Sequence, residues 1–287
     1  MNQKYRLKKE VNNFVSRFNN KKYSEMLYES AFKKKINWDN PTEFNEKLMY
    51  LKVFKYSKDK NVWACADKYK ERLFILKHGV LEKHLNKLIG VYDKTKDIKE
   101  NDLPSKFVMK CTHGYGFNIT CNDKNEFDFK AANRKLNKWQ KTKFGYETGE
   151  IQYTHVKPRI IIEDFVPSKI DYKVYCFFGK PKVVLACSLN DDDVKLNFFD
   201  LKWNELMLGK EEYRSKEKIC SPRYLKDMIG ISKKVSSEFP FVRIDFYEDG
   251  RAVIGEMIFT PAACLATYYS EEGNKYLSDL LDLKLIK

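Results

Sequence analysis

The 287 residues are 43% hydrophobic and 15% aromatic, with only 12 glycines and 8 prolines, a composition that fills a packed core and excludes a disordered or collagen-like chain. Length alone predicts one large domain or two to three lobes. The formal charge of +14 suggests nucleic acid at first, but the lysines are scattered along the chain instead of forming a stripe; a basic cleft for a polyanionic small ligand and an acidic co-substrate explains them with less assumed, and no nucleic-acid partner is expected.

No run approaches the length of a membrane span, and the N-terminal stretch carries basic residues without the apolar core of a secretion signal. A soluble, cytoplasmic protein is the expectation. Seven cysteines fit that compartment: none is spaced as CxxC, and Cys111, Cys176, Cys187 and Cys264 stand in apolar stretches where a reduced thiol acts as a small hydrophobe.

Residues 1–62 are charged and helix-periodic and predict a small helical segment packed on the main body. Within it Asp39-Asn40-Pro41-Thr42-Glu43 predicts a turn and a helix start capped by Asn or Thr, after which Phe44, Leu48 and Leu51 recur at helical spacing. A helix is expected over 67–78, then a strand Phe107–Cys111 after the Leu103-Pro104 loop, and a polar helix over 127–143. Arg159–Ile162 is a buried-strand run. Lys173–Phe178 and Val183–Cys187 flank a Gly179-Lys180-Pro181 turn, a helix covers 222–238, and the last clear element is a hairpin, Phe241–Phe246 and Ala252–Phe259. There is no internal repeat, and this order of elements predicts an α/β or α+β body.

Three segments carry chemistry. If Asp249-Gly250 makes a two-residue turn, Tyr247 pairs with Ala252, Asp245 with Ile254 and Arg243 with Glu256, so that Arg243, Asp245, Ile254, Glu256 and Ile258 share one face. Two carboxylates there bracket a divalent cation, with Arg243 ready to neutralise phosphate or carboxylate; taken alone, the same hairpin also describes a charged face meeting water. Lys110 is an ammonium inside an apolar strand, followed at once by Thr112-His113-Gly114-Tyr115-Gly116-Phe117-Asn118. Burying it calls for an anion, and a glycine turn frees backbone N–H groups for phosphate oxygens, although an edge strand with an outward lysine has the same sequence. Finally Arg159–Ile162 ends in Glu163-Asp164-Phe165-Val166, where backbone groups between apolar walls suit a flat heterocycle and solvated charges suit an ordinary strand end.

Those features, in that order, resemble the ATP-grasp superfamily. The branch most similar is the teichuronopeptide-biosynthesis (TupA-like) ATP-grasp family of bacterial surface-polysaccharide loci. The matching stretches are Pro41–Leu48, Ala66–Tyr69, Leu103–Gly114, Lys157–Ile161, Asp171–Lys173, Asn197–Asp200 and Phe239–Asp245, spread over about 41–265. The resemblance implies an α+β ATP-grasp fold in which two α/β lobes clasp ATP: a helical N-terminal segment (1–62), a small lobe with the phosphate loop (63–162), and a large lobe with the metal-binding hairpin (163–287). It implies that Lys68, Lys110, His113, Gly114 and Gly116 surround ATP phosphates, that Glu163, Asp164 and Val166 form the adenine hinge, and that Asp171 also binds nucleotide. Lys173, Lys195, Asn197 and Arg243 are implied as catalytic, and Asp245 and Glu256 as Mg²⁺ ligands. Many relatives carry Asn where this chain has Ile258, so the resemblance implies either that Asn197, Thr260 or water completes the metal shell or that the metal is held more weakly than usual. The implied reaction is carboxylate activation through an acyl phosphate followed by amide formation, joining an amino acid or amino sugar to a uronic acid or glutamate of a surface glycan, with peripheral contact to membrane-bound glycan machinery. A phosphotransferase acting on a sugar hydroxyl, or a glycosyltransferase-pathway component without ligase activity, are the alternatives.

Overall fold

The computed structural model describes residues 15–168, 170–190 and 193–286. Its N-terminal helices are set by their caps. Helix α1 (Asn20–Phe32) starts where Asn19 accepts the Lys22 N–H at 2.9 Å and stops at Lys33, whose φ of 58° is left-handed. Helix α2 (Phe44–Tyr50) begins at the expected place, but Glu43 rather than Asn or Thr is the cap. The reason is a capping box, in which Glu46 reaches back to the N–H groups of Thr42 (2.9 Å) and Glu43 (3.2 Å). Phe44, Leu48 and Leu51 are fully buried, each worth about 1.5–3 kcal/mol over exposure. A π-helical turn, Leu51–Tyr56, follows and ends with the Tyr56 hydroxyl donating to Phe241 O at 2.6 Å. Helices α3 (Lys60–Ala66) and α4 (Lys68–Lys77) meet at Asp67, which caps α4 by accepting the N–H groups of Tyr69 and Lys70.

Two antiparallel sheets make the body, which is α+β. The smaller has strands β1 (Leu88–Tyr92), β2 (Phe107–Cys111), β3 (Asn118–Cys121) and β4 (Ile160–Asp164) in the order β1-β4-β2-β3. Its core gathers Phe107, Met109, Cys111, Ile160 and Ile162 with Leu136 of helix α5 (Phe129–Gln140). Strand alternation therefore turns Lys110 and Glu163 to the other face.

The larger sheet has β5 (Ile170–Phe177), β6 (Lys180–Asn190), β7 (Asp193–Phe199), β8 (Glu205–Leu206), β9 (Phe241–Glu248) and β10 (Ala252–Ile258), ordered β10-β9-β5-β6-β7-β8. Helix α6 (Leu225–Val235) packs on β5, β6 and β10, and α7 (Glu271–Leu280) packs on α2. Phe44 of α2 stacks edge-on against Phe241 and Tyr269, so the N-terminal helices share one core with this sheet, while the smaller sheet keeps its own. All seven cysteines are free thiols, only Cys220 exposed, and no helix among the described residues is long and apolar enough to cross a membrane.

The β9–β10 hairpin departs from its expected register. Three residues, Asp249–Arg251, form the loop, with Gly250 at φ 61°, so Ala252 pairs with Glu248 and Val253 with Tyr247. A bulge at Gly255 then adds one residue to β10. Ile254 consequently pairs with Phe246 and joins the core, while Glu256 pairs directly with Asp245 and Ile258 with Arg243. The two offsets cancel for the chemistry, because Arg243, Asp245 and Glu256 still share a face.

Candidate active site

The polar face of the small sheet, the first turns of α4 and the Asp245 face of the large sheet meet in one crevice. Helix α4 supplies Lys68, Glu71 and Arg72, whose spacing of three and four residues puts them on one side. Lys68 Nζ is bonded to Glu256 Oε1 across the crevice. Arg72 Nη1 lies 2.9 Å from Glu163 Oε1, and Lys110 Nζ lies 2.7 Å from the other oxygen of the same carboxylate. Beyond Glu256, its ladder partner Asp245 receives both Nε and Nη2 of Arg243 at 2.7 Å and Lys173 Nζ at 3.2 Å. Lys173 also reaches Asp171 at 3.4 Å. Cations and carboxylates thus alternate along the whole crevice. The gap lined by Lys68, Glu71, Arg72, Lys110, Glu163 and Gly255 is closed down to about 20 Å³.

Protonation follows from that alternation. Burial pushes the Asp245 carboxyl up, but the Arg243 guanidinium and then Lys173 outweigh it and hold the group below its ordinary value. Burial lowers Lys68, yet Glu256 overrides it and raises the ammonium pKa; Lys173 behaves likewise beside Asp245. Glu71 differs. Burial, followed by the neighbouring Glu256 charge, raises it well above the carboxylate range, while it accepts the Met257 N–H.

The loop after β2 is shaped by its glycines. A Cβ on Gly114 would lie 2.7 Å from the Phe144 ring, and Gly116 has φ 72°. His113 next to them is buried, its Nε2 donating to Trp139 O at 3.0 Å, so the ring turns toward the end of α5, and burial lowers its pKa. At the end of β4 the backbone of Asp164 is engaged, its N–H with Lys87 O at 3.0 Å and its carbonyl with Asn86 Nδ2 at 2.8 Å. Val166, two residues on, makes no backbone hydrogen bond among the described residues.

Two expected residues lie apart. Lys173 is opposite Leu185 and Leu185 opposite Phe198, so Phe198 sits in the crevice row and Asn197 and Lys195 point to the other side of the sheet. Asn197 is fully engaged there, with Glu205 Oε1 at 2.8 Å, Ser215 O at 3.2 Å and the Ser215 N–H at 3.0 Å. Glu71 and Arg72 were not anticipated, although their helical spacing from Lys68 was available.

Asp245 and Glu256, directly opposite on one face, have the hard oxygen donors a divalent cation takes. Among the described residues no third His, Cys, Asp or Glu joins them as a closed cage. Mg²⁺ is commonly held by one or two carboxylates plus phosphates and waters, so the pair fits it. Thr260 is not spare for that shell, since its hydroxyl donates to Glu150 Oε1 at 2.5 Å and accepts from Gln152 at 3.0 Å. Asn197 lies on the other side of the sheet, so a cation held here would have to take its remaining ligands from phosphate and water.

The family model for TupA-like ATP-grasp proteins matches residues 46–282. No curated protein matches the chain. Among solved structures, the ATP complex of D-alanine–D-alanine ligase from Bacillus anthracis is similar at 14% identity and TM-score 0.48, over 76% of this chain and 64% of that one. The ADP complex of N5-carboxyaminoimidazole ribonucleotide synthetase gives 13% identity and TM-score 0.45, over 69% and 45%. An L-amino acid ligase from Bacillus licheniformis gives 15% and 0.45, over 69% and 43%. The chain therefore spans about half the length of the last two.

Proposed function

The chain belongs to the TupA-like ATP-grasp family, and from that premise we propose that it is an ATP-dependent carboxylate–amine ligase working through an acyl phosphate. The observation that carries the reading is the closed row of ion pairs. Lys110, Arg72, Lys68, Lys173 and Arg243 are each held by a carboxylate of the protein itself. A polyphosphate and a substrate carboxylate offer these cations the same kind of partner. Nucleotide pockets run to roughly 300–1,000 Å³, so entry requires the two sheets to part and the cations to exchange protein carboxylates for phosphate.

In this reading Lys68 and Lys110 take phosphate oxygens, the Gly114–Gly116 loop covers them with backbone N–H groups, and Glu163–Val166 holds adenine, with the Val166 backbone, which has no backbone partner among the described residues, available for it. Asp171 lies on the nucleotide side of Lys173. Mg²⁺ bound by Asp245 and Glu256 would neutralise charge that builds on the phosphates during transfer. Lys173 and Arg243 hold the substrate carboxylate in line with the γ-phosphorus. One carboxylate oxygen then attacks it, the bond to the β–γ bridging oxygen breaks, and ADP leaves. The amine nitrogen attacks the acyl carbon, phosphate departs, and the amine loses a proton to give the amide. Positioning and charge neutralisation suffice, and no side-chain nucleophile is required.

The substrates we propose are a uronic acid or glutamate of a bacterial surface glycan and an amino acid or amino sugar. The test is ADP release with uronic acids and glutamate crossed against amino acids and amino sugars. Release that needs both an acid and an amine supports the ligase. Release with a neutral sugar and no amine would make the protein a phosphotransferase instead.

A further inference from the structure

The ligase reading gives no role to the stretch Pro41–Leu48, yet it opens a helical run whose side chains reach the hairpin that carries Asp245 and Glu256. Asn45 Nδ2 donates to Ala266 O at 2.8 Å, Lys52 Nζ to Ala263 O at 3.1 Å, and the Tyr56 hydroxyl to Phe241 O at 2.6 Å. Phe241 opens β9 just before Arg243, and Ala263 and Ala266 follow the end of β10 at Ile258. The run therefore holds the chain at both ends of the hairpin.

Lys52 reaches further than the other two. Its Nζ also donates to Thr148 O at 3.1 Å. Thr148 belongs to the segment beneath the phosphate loop, where Phe144 fills the space beside Gly114 and packs edge-on against Tyr115 at 5.0 Å and Tyr153 at 5.1 Å. Gly149, at φ 68°, brings this backbone close over the ammonium, and a Cβ there would lie 3.6 Å from Nζ. From the same segment Glu150 accepts from the Thr260 hydroxyl at 2.5 Å, and Gln152 donates to that hydroxyl at 3.0 Å. One buried polar cluster thus joins the support of the phosphate loop to the turn that ends the hairpin.

Two unfavourable features are built into this cluster. Lys52 is fully buried, and an ammonium out of water is destabilising unless its donors are met; burial lowers its pKa, with Cys264 and Glu150 only partly opposing. The turn Ala262–Cys264 has three successive left-handed residues, at φ 49°, 54° and 67°, none of them glycine, a backbone that persists only where its surroundings over-determine it. The Lys52 bond to Ala263 O, together with the Ala263 N–H donating to Thr260 O at 2.8 Å, supplies that constraint. Lys52 itself sits in the π-helical turn Leu51–Tyr56, an irregularity frequent at functional sites.

We propose that Lys52 is a positioning residue: by holding Thr148 O and Ala263 O on one ammonium, it fixes the phosphate loop relative to the Asp245–Glu256 pair, so that phosphate and metal are bound together. The proposal rests on the ligase reading for what the loop and the pair bind.

The test is isothermal titration of the full chain with ATP, once with Mg²⁺ and once with Mg²⁺ removed by chelation. It is run on the unaltered protein, on Lys52→Met, and on Leu277→Ala in the buried face of α7 as a control for lost stability. The quantity read is the ratio of the two ATP affinities. Lys52→Met should cut that ratio by about tenfold or more, the loss usual for a residue supporting a metal site from behind, while affinity without Mg²⁺ stays close to that of the unaltered protein. Leu277→Ala should lower the melting temperature and leave the ratio unchanged. If Lys52→Met does not fold, Lys52→Gln, whose amide keeps two N–H donors on a shorter stem, takes its place and should lose the ratio in smaller measure. An unchanged ratio in the lysine variant, an equal fall in Leu277→Ala, or failure of both lysine variants to fold would overturn the proposal. An unaltered protein whose ATP affinity gains nothing from Mg²⁺ would strike the ligase reading itself, and the proposal with it.

Discussion

Replacing Lys110 by Met keeps the length and apolar character of the stem inside β2 and removes only the ammonium. Its Nζ is 2.7 Å from Glu163 Oε2, on a side chain 20% exposed, while Glu163 is 7% exposed and keeps Arg72 at 2.9 Å. A hydrogen bond to a charged group is worth about 1.5–3 kcal/mol, and the surviving Arg72 contact puts the stability loss at the lower end of that range. The same loss on a phosphate oxygen amounts to roughly a ten- to hundredfold weaker ATP affinity. Glu163→Gln makes the counter-test, since it releases Lys110 without removing it: stability should fall and ATP affinity should hold or rise. Urea unfolding and isothermal titration with Mg-ATP measure both quantities on each variant. Full ATP affinity in Lys110→Met would refute the placement of the phosphates at this lysine and with it the crevice assignment.

Glu256→Gln should leave the fold intact and abolish both turnover and the Mg²⁺-dependent part of the thermal shift caused by ATP, because one of two paired carboxylates is lost; an unchanged shift would move the metal elsewhere. Glu71→Gln should flatten the dependence of stability on pH. Its folded pKa lies above the ordinary Glu value of about 4.3, so the native state holds a proton that the unfolded chain releases, and the unaltered protein loses stability as pH rises through that window. Urea midpoints at pH 5 and pH 8 should therefore differ less in the variant, and an equal difference would contradict the raised pKa. Ala263→Gly should raise stability by up to about 1 kcal/mol, since Ala263 sits at φ 54° between Ala262 and Cys264, also left-handed, where a Cβ is costly; a lower melting temperature would show that the bend is not strained.

Some of this site was legible because single residues broke a pattern. Lys110 interrupts an apolar strand, and period-two alternation alone sends it and Glu163 away from the core that Phe107, Met109 and Ile162 build. The Asp245 and Glu256 pair was legible as a shared face, although the register behind it was not: the loop takes three residues where Asp-Gly favours two, and the extra residue of the bulge is Gly255, where a Cβ would lie 2.8 Å from the Tyr247 ring. Lys195 and Asn197 show the limit of motif spacing. A one-residue step in a strand reverses the face, and only the ladder through β5 and β6 tells which face that is. The sharing of one core between α2 and the large sheet was hidden for a related reason, since Phe44 meets Phe241 and Tyr269 from nearly two hundred residues or more away. Helix α7, capped by Ser270, was missed outright, and the π-turn at Leu51–Tyr56 carries no local signal that separates it from an α-helix.

The central claim is that a carboxylate oxygen attacks the γ-phosphorus of ATP. It is tested most directly by supplying glucuronic acid or glutamate labelled with oxygen-18 in the carboxyl group, together with ATP and an amine, and analysing the inorganic phosphate released. A ligase working through an acyl phosphate transfers the label, because the oxygen that attacked phosphorus leaves with it when the amine displaces phosphate. Released phosphate without label, or ATP consumed with the phosphoryl group retained on a sugar hydroxyl, would contradict the account.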